Sequence, residues 1–315
     1  RRRILVATFL AFVATAAIVA VSGGSAHAVD PDVAAKRERC AARLAIALTG
    51  KSPADALLAA PNPQSLVDGL LSSPEFYDRY SSFINRSFQR SPGPFAADDA
   101  PYWVARKVLE TNKPWKDVFV GPYQVADNKD GTAAVKDDAN GLGYVRADAW
   151  LRKYAGNEGE GIKIATAFRM IQNSVGLKVE AVQALPNENR SADGRRASPC
   201  GVCHYESWFA LDKVASVLSR AVTTNNTVTF GAPPASPQQA LDGVTIRDDK
   251  DVMTTLVGSE QFLVNQCRLA FTFLYGREEN SCEGTTLDKC IDALKVKGTI
   301  QSGLSAIAKD AAFCD

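Results

Sequence analysis

Three times in the first ninety residues a capping residue is paired with proline ahead of helix formers: Asp30-Pro31, Ser52-Pro53 with Asp55 close behind, and Ser73-Pro74-Glu75. Proline fixes φ for a first helical turn and lacks an N–H that such a turn leaves unpaired, while Ser or Asp accepts from a free amide further on. This punctuation predicts a helix through Ala34 to Leu48, stopped by Gly50. It predicts another from Ser73, where Phe76, Tyr80, Phe83, Ile84 and Phe88 recur at helical spacing. The 315 residues are 46% apolar and 23% charged, enough for a sizeable core and incompatible with a disordered, collagen-like or multispanning chain. With 36 Lys and Arg against 35 Asp and Glu, the net charge of +1 gives no strong pull on nucleic acid.

The pattern continues along the chain. Residues 29–120 read as an N-terminal helical region, and residues 121–146, rich in Asn, Asp, Lys and Gly, as a long surface loop or hairpin. Residues 147–230 read as a second helical region: Ala147 to Tyr154, Gly161 to Val175, and Ser207 to Val222. A proline-rich linker over 231–247 leads to a C-terminal helical region, 248–315. Thr227 to Phe230 is the best strand candidate in an otherwise all-α, multi-helix fold. An apolar pair, a polar turn and a Phe recur at Leu70–Phe76, Leu256–Phe262 and Ile307–Phe313, which points to repeated capping chemistry rather than duplication.

Arg1-Arg2-Arg3, an uncharged stretch from Ile4 to Val21, and the tripeptide Ala26-His27-Ala28 form the pattern of a secretory signal peptide over residues 1–28. Uncleaved, the same stretch just reaches spanning length and would be the only membrane contact. Cleaved, it leaves Val29 to Asp315 in a bacterial periplasm or secreted, slightly acidic, and with one histidine, His204. Seven cysteines then lie where disulfides are permitted.

Cys200-Gly201-Val202-Cys203-His204 is the CxxCH attachment pattern of c-type haem. Two thiols two residues apart on a turn can each add to one porphyrin vinyl group, and the next residue places an imidazole under the iron. Cys200 and Cys203 are thus the candidate covalent anchors and His204 the candidate iron ligand. A thioredoxin-like pair would need a strand leading into the motif; zinc would need a fourth ligand; a Cys200–Cys203 disulfide would be awkward across so short a loop. Trp208 and Phe209 are candidates to wall the porphyrin, and Arg190, Arg195 and Arg196 to pair with its propionates. Met253 and Met170 are candidate distal ligands, alongside Lys, water or an open position. Of the other cysteines, Cys282 with Cys290 and Cys267 with Cys314 are plausible bridges, with Cys40 left over.

The haem segment from Arg195 to Asp212, with Phe209-Ala210-Leu211-Asp212 after the histidine, resembles that of the planctomycete-type cytochrome c family. Ser73 to Tyr80 with Asn112-Lys113-Pro114-Trp115 is similar to that family's early segment, and Ser259-Glu260-Gln261-Phe262 through Leu274-Tyr275-Gly276-Arg277 to its terminal segment. The resemblance implies a secreted bacterial protein with one covalently attached haem c. Tyr205-Glu206-Ser207-Trp208 departs from the Met-Asp-Pro-type residues common there, so no distal ligand is implied. The leading expectation is a non-catalytic single-electron carrier with an unidentified redox partner protein. The alternative is a haem enzyme or gas/redox sensor with an open distal iron position; a third class is a protein in which haem only staples the fold.

Overall fold

The computed structural model describes residues 31–89, 93, 95–154, 163–179, 187–224 and 227–315; residues 1–28, expected to be a signal peptide, lie outside them. The described chain is mostly helical, as the capping pattern predicts. The first helix, Pro31–Thr49, ends at Gly50 with φ +71°, a conformation open to glycine at little steric cost. Helix Pro74–Phe88 begins with the Ser73 hydroxyl accepting from the Phe76 amide at 3.2 Å. Helix Glu260–Tyr275 repeats this with Ser259 and Phe262, and helix Ala311–Cys314 begins with Asp310 accepting from Ala312. The recurrent stretches are therefore helix caps, each followed by a buried aromatic: Phe76, Phe262 and Phe313.

One main apolar cluster runs from Cys40 to Phe313 and takes residues from every predicted region. At its centre Tyr80 meets Phe273 edge-on at 4.9 Å and Trp115 at 5.6 Å. The Trp115 indole donates to Gln266 Oε1 at 2.8 Å, and Gln266 Nε2 donates to the carbonyls of Asn173 and Ser174, so one buried amide ties three segments together.

The strands bear out the sequence reading in part and depart from it in part. Of the two expectations for residues 121–146 the hairpin is found, Tyr123–Asp127 pairing antiparallel with Ala133–Asp137, but the segment is not confined to the surface: Leu142, Tyr144 and Val145 are buried. The predicted helix Ser207 to Val222 is only Leu211–Ser216; the β-branched stretch after it forms the hairpin Arg220–Thr224 with Thr227–Gly231, the second strand covering the expected Thr227 to Phe230. The linker holds a third hairpin, Gln238–Ala240 with Val244–Ile246, because Ala240, Leu241 and Ile246 find apolar cover. Polar and glycine-rich composition signalled the turns but not the inward-facing residues between them.

The disulfides also differ from the proposed bridges. Cys40 pairs with Cys314 and Cys267 with Cys290, leaving Cys282 as an exposed thiol. Folding brings the first helix and the chain end together, a proximity that no sequence spacing encodes. No described helix is long and apolar enough to cross a membrane.

Candidate functional site

The CxxCH residues sit on a wide turn between two short helices. Helix Ala192–Arg196 is capped by the Ser191 hydroxyl, and the Gly201 amide donates back to the Ala197 carbonyl at 2.9 Å. Gly201 is required by close approach: a Cβ there would lie 2.5 Å from the Arg196 carbonyl oxygen. Val202–Glu206 then forms a π-helical turn, closed by the Ser207 amide donating to the Val202 carbonyl at 2.7 Å. Such turns are uncommon and often occur at functional sites.

Cys200 and Cys203 are free, partly exposed thiols. Cys203 also packs against the main core, and Cys200 Sγ lies 3.9 Å from Glu188 Oε1. The His204 side chain is 23% exposed. Its Nδ1 lies 2.6 Å from Oδ2 of Asp212, a carboxylate buried to 2% exposure. The other oxygen, Oδ1, accepts from Arg195 Nε and from the Tyr205 hydroxyl, each at 2.8 Å. Arg195, buried like its partner, also donates to the Arg190 carbonyl at 2.6 Å.

Burial alone would raise the Asp212 pKa, but donation from His204, Tyr205 and Arg195, with the Arg195 charge, holds it below the usual carboxylate value. Burial, reinforced by the bond to Asp212, pushes the Tyr205 hydroxyl up. An ionised carboxylate only accepts, so the Nδ1 it faces carries a proton, and in that tautomer of an imidazole the lone pair is on Nε2. Among the described residues Nε2 makes no hydrogen bond. The donor set fits a c-type haem: two free thiols on one turn and an imidazole with a metal-binding nitrogen available and its ring oriented by a carboxylate. A hydrolytic His–Asp pair would need a nucleophile on Nε2, and none of the described residues supplies one.

The chain reverses at Ala210, where φ is +27°, to enter helix Leu211–Ser216 and set Asp212 against His204. A non-glycine residue in that region costs on the order of 1–3 kcal/mol and persists only where the surroundings enforce it. Ser207 helps by accepting from the Ala210 amide at 3.2 Å.

The remaining candidates divide. Trp208 and Val202 are large apolar side chains left exposed, whereas Phe209 is buried against Trp208 in an edge-on pair. Arg195 is committed to Asp212; Arg196 is exposed, with its guanidinium 4.7 Å from the Tyr205 ring centroid, and Arg190 is exposed. Met170 and Met253 are both in the core, 1% and 0% exposed, so neither presents an accessible sulfur in this conformation. Asp212 and Tyr205 had no role in the sequence reading. The available signal was an acid inside the apolar run from Phe209 to Ala215, which must find partners if buried. Among the described residues no group of three or more His, Cys, Asp and Glu side chains is gathered to hold a metal ion, as zinc would require. The chain matches no family model, no curated protein and no solved structure.

Proposed function

We propose that the chain is an exported c-type cytochrome of the planctomycete type, carrying one haem on Cys200, Cys203 and His204 and passing single electrons to a partner protein. The observation that carries this is the pairing of two free cysteine thiols with a histidine whose Nδ1 is held by Asp212 and whose Nε2 is available. Cys200 and Cys203 would hold the haem, each thiol supplying its sulfur to one thioether bond and its hydrogen to the same former vinyl group with no net oxidation. Bound there, haem supplies a one-electron ferric/ferrous couple. His204, oriented by Asp212, would ligate the iron through Nε2. Val202 and Trp208 offer apolar cover beside the motif, and Arg190 and Arg196 offer cations for the propionates. Two disulfides suit the oxidising compartment to which the N-terminal pattern directs the chain.

Expression with its leader and the cell's haem-attachment machinery tests this reading. Haem should stay with the polypeptide through acid-acetone extraction, and Cys200→Ala should reduce attachment. Extractable haem, or none, sinks the proposal.

One observation favours a second reading, an iron with an open distal position for small-ligand binding: both methionines are core residues. A low-spin ferric spectrum of His/Met type supports the carrier; a high-spin spectrum that shifts with cyanide or carbon monoxide supports the open site.

A further inference from the structure

We infer that Asp212 tunes the redox potential of this site. It draws the Nδ1 proton of His204 toward itself, strengthens Nε2 as a donor and biases a bound haem iron toward the ferric state, while Arg195 and Tyr205 limit the effect. The inference rests on the haem reading above and adds a residue that the attachment pattern does not contain.

The geometry divides the carboxylate between two tasks. Oδ2 faces His204 Nδ1 at 2.6 Å and has no other hydrogen-bond partner among the described residues. Oδ1 takes both other donors, Arg195 Nε and Tyr205 OH. A backbone carbonyl on Nδ1 would be a neutral acceptor; a carboxylate carries a full negative charge, and charge-assisted bonds are roughly twice as strong as neutral ones. At 2% exposure the charge is poorly screened by water, which strengthens the bond further. Ferric iron carries one more positive charge than ferrous iron. An anion drawing on the proximal imidazole therefore stabilises the ferric form and lowers the potential.

Arg195 and Tyr205 act in the opposite direction. Each bond to Oδ1 withdraws electron density that would otherwise reach Oδ2 and His204. The Ser191-capped helix that carries Arg195 and the strained turn at Ala210 bring the two opposing influences onto one side chain. Asp212 and its partners are thus positioning residues that act on iron through His204.

The experiment compares purified wild-type holoprotein with Asp212→Asn and Tyr205→Phe, both near-isosteric. Covalent haem is measured first, then the midpoint potential by spectroelectrochemistry. Asp212→Asn should raise the ferrous-to-ferric ratio at a fixed solution potential at least tenfold, an upward shift of about 59 mV for a one-electron couple. Tyr205→Phe leaves the formal charge unchanged and removes one of the two donors on Oδ1 while Arg195 stays, so its shift should be smaller and downward. A purely structural role would not move two conservative variants in opposite directions. Proton NMR of the haem-free leaderless chain, with its single histidine, supplies a second readout. A far-downfield Nδ1–H signal should be present in wild type and lost or shifted upfield in Asp212→Asn. Equal potentials in all three holoproteins, or shifts of the same sign, overturn the tuning role and leave haem attachment standing; a wild-type protein without covalent haem overturns both.

Discussion

Removing the two disulfides one at a time should have different consequences, because they close loops of very different length. Cys40–Cys314 spans 274 residues of sequence, and Cys267–Cys290 spans 23. In the chain-entropy description the cross-link acts on the unfolded ensemble, and the logarithmic dependence on loop length makes the long closure worth about 2 kcal/mol more than the short one. Packing works the other way. Cys267 and Cys290 are fully buried, whereas Cys40 is 5% exposed and Cys314 only partly buried. Truncating the inner pair therefore removes more packed sulfur, worth about 1 kcal/mol by analogy with a single buried methylene. The double variant Cys40→Ala/Cys314→Ala should accordingly lose about 1 kcal/mol more than Cys267→Ala/Cys290→Ala. The slope of denaturant unfolding separates the two terms. Freeing the long loop lets the unfolded chain expand and should steepen the slope, while freeing the short loop should leave it nearly unchanged. Urea unfolding of both variants under identical conditions gives midpoint and slope together. A reversed order of stability, or no change in slope on losing Cys40–Cys314, would refute the loop-entropy argument.

Lys163 is 1% exposed, with Nζ 3.3 Å from Ser219 Oγ and 4.9 Å from the Phe230 ring centroid; burial lowers its pKa from 10.5 to about 8. Its unfolded form holds the proton more tightly, so stability is lost below pH 8 and recovered as pH rises toward 10.5. Lys163→Met should gain up to about 3 kcal/mol at pH 7, a gain that shrinks by pH 10, and equal denaturation midpoints at pH 7 would count against this. Gly201→Ala forces a Cβ against the Arg196 carbonyl and should cost about 1–3 kcal/mol in thermal unfolding, with a lower yield of covalent haem. Gln266→Leu leaves the buried Trp115 N–H unpaired while Asn265 still serves the Asn173 and Ser174 carbonyls, so a loss of about 2–3 kcal/mol is expected by chemical denaturation.

The helical class, the caps at Ser73 and Ser259, and the candidate anchors Cys200, Cys203 and His204 are local properties. A cap needs an oxygen within three residues of an amide, amphipathic spacing needs only a few turns, and the CxxCH pattern fits within one turn of chain. The hairpins were less legible because polar, glycine-rich turns look alike whether the residues between them face water or, like Tyr144 and Ile246, the core. What folding alone decided was pairing at a distance. Cys40 meets Cys314 and Trp115 meets Gln266 because packing the shared core brings their segments together. The same holds for Asp212, which sequence shows only as an acid in an apolar run. The π-helical turn and the reversal at Ala210 place it on His204, and Arg195 joins it because a buried charge is stable only where partners converge on it.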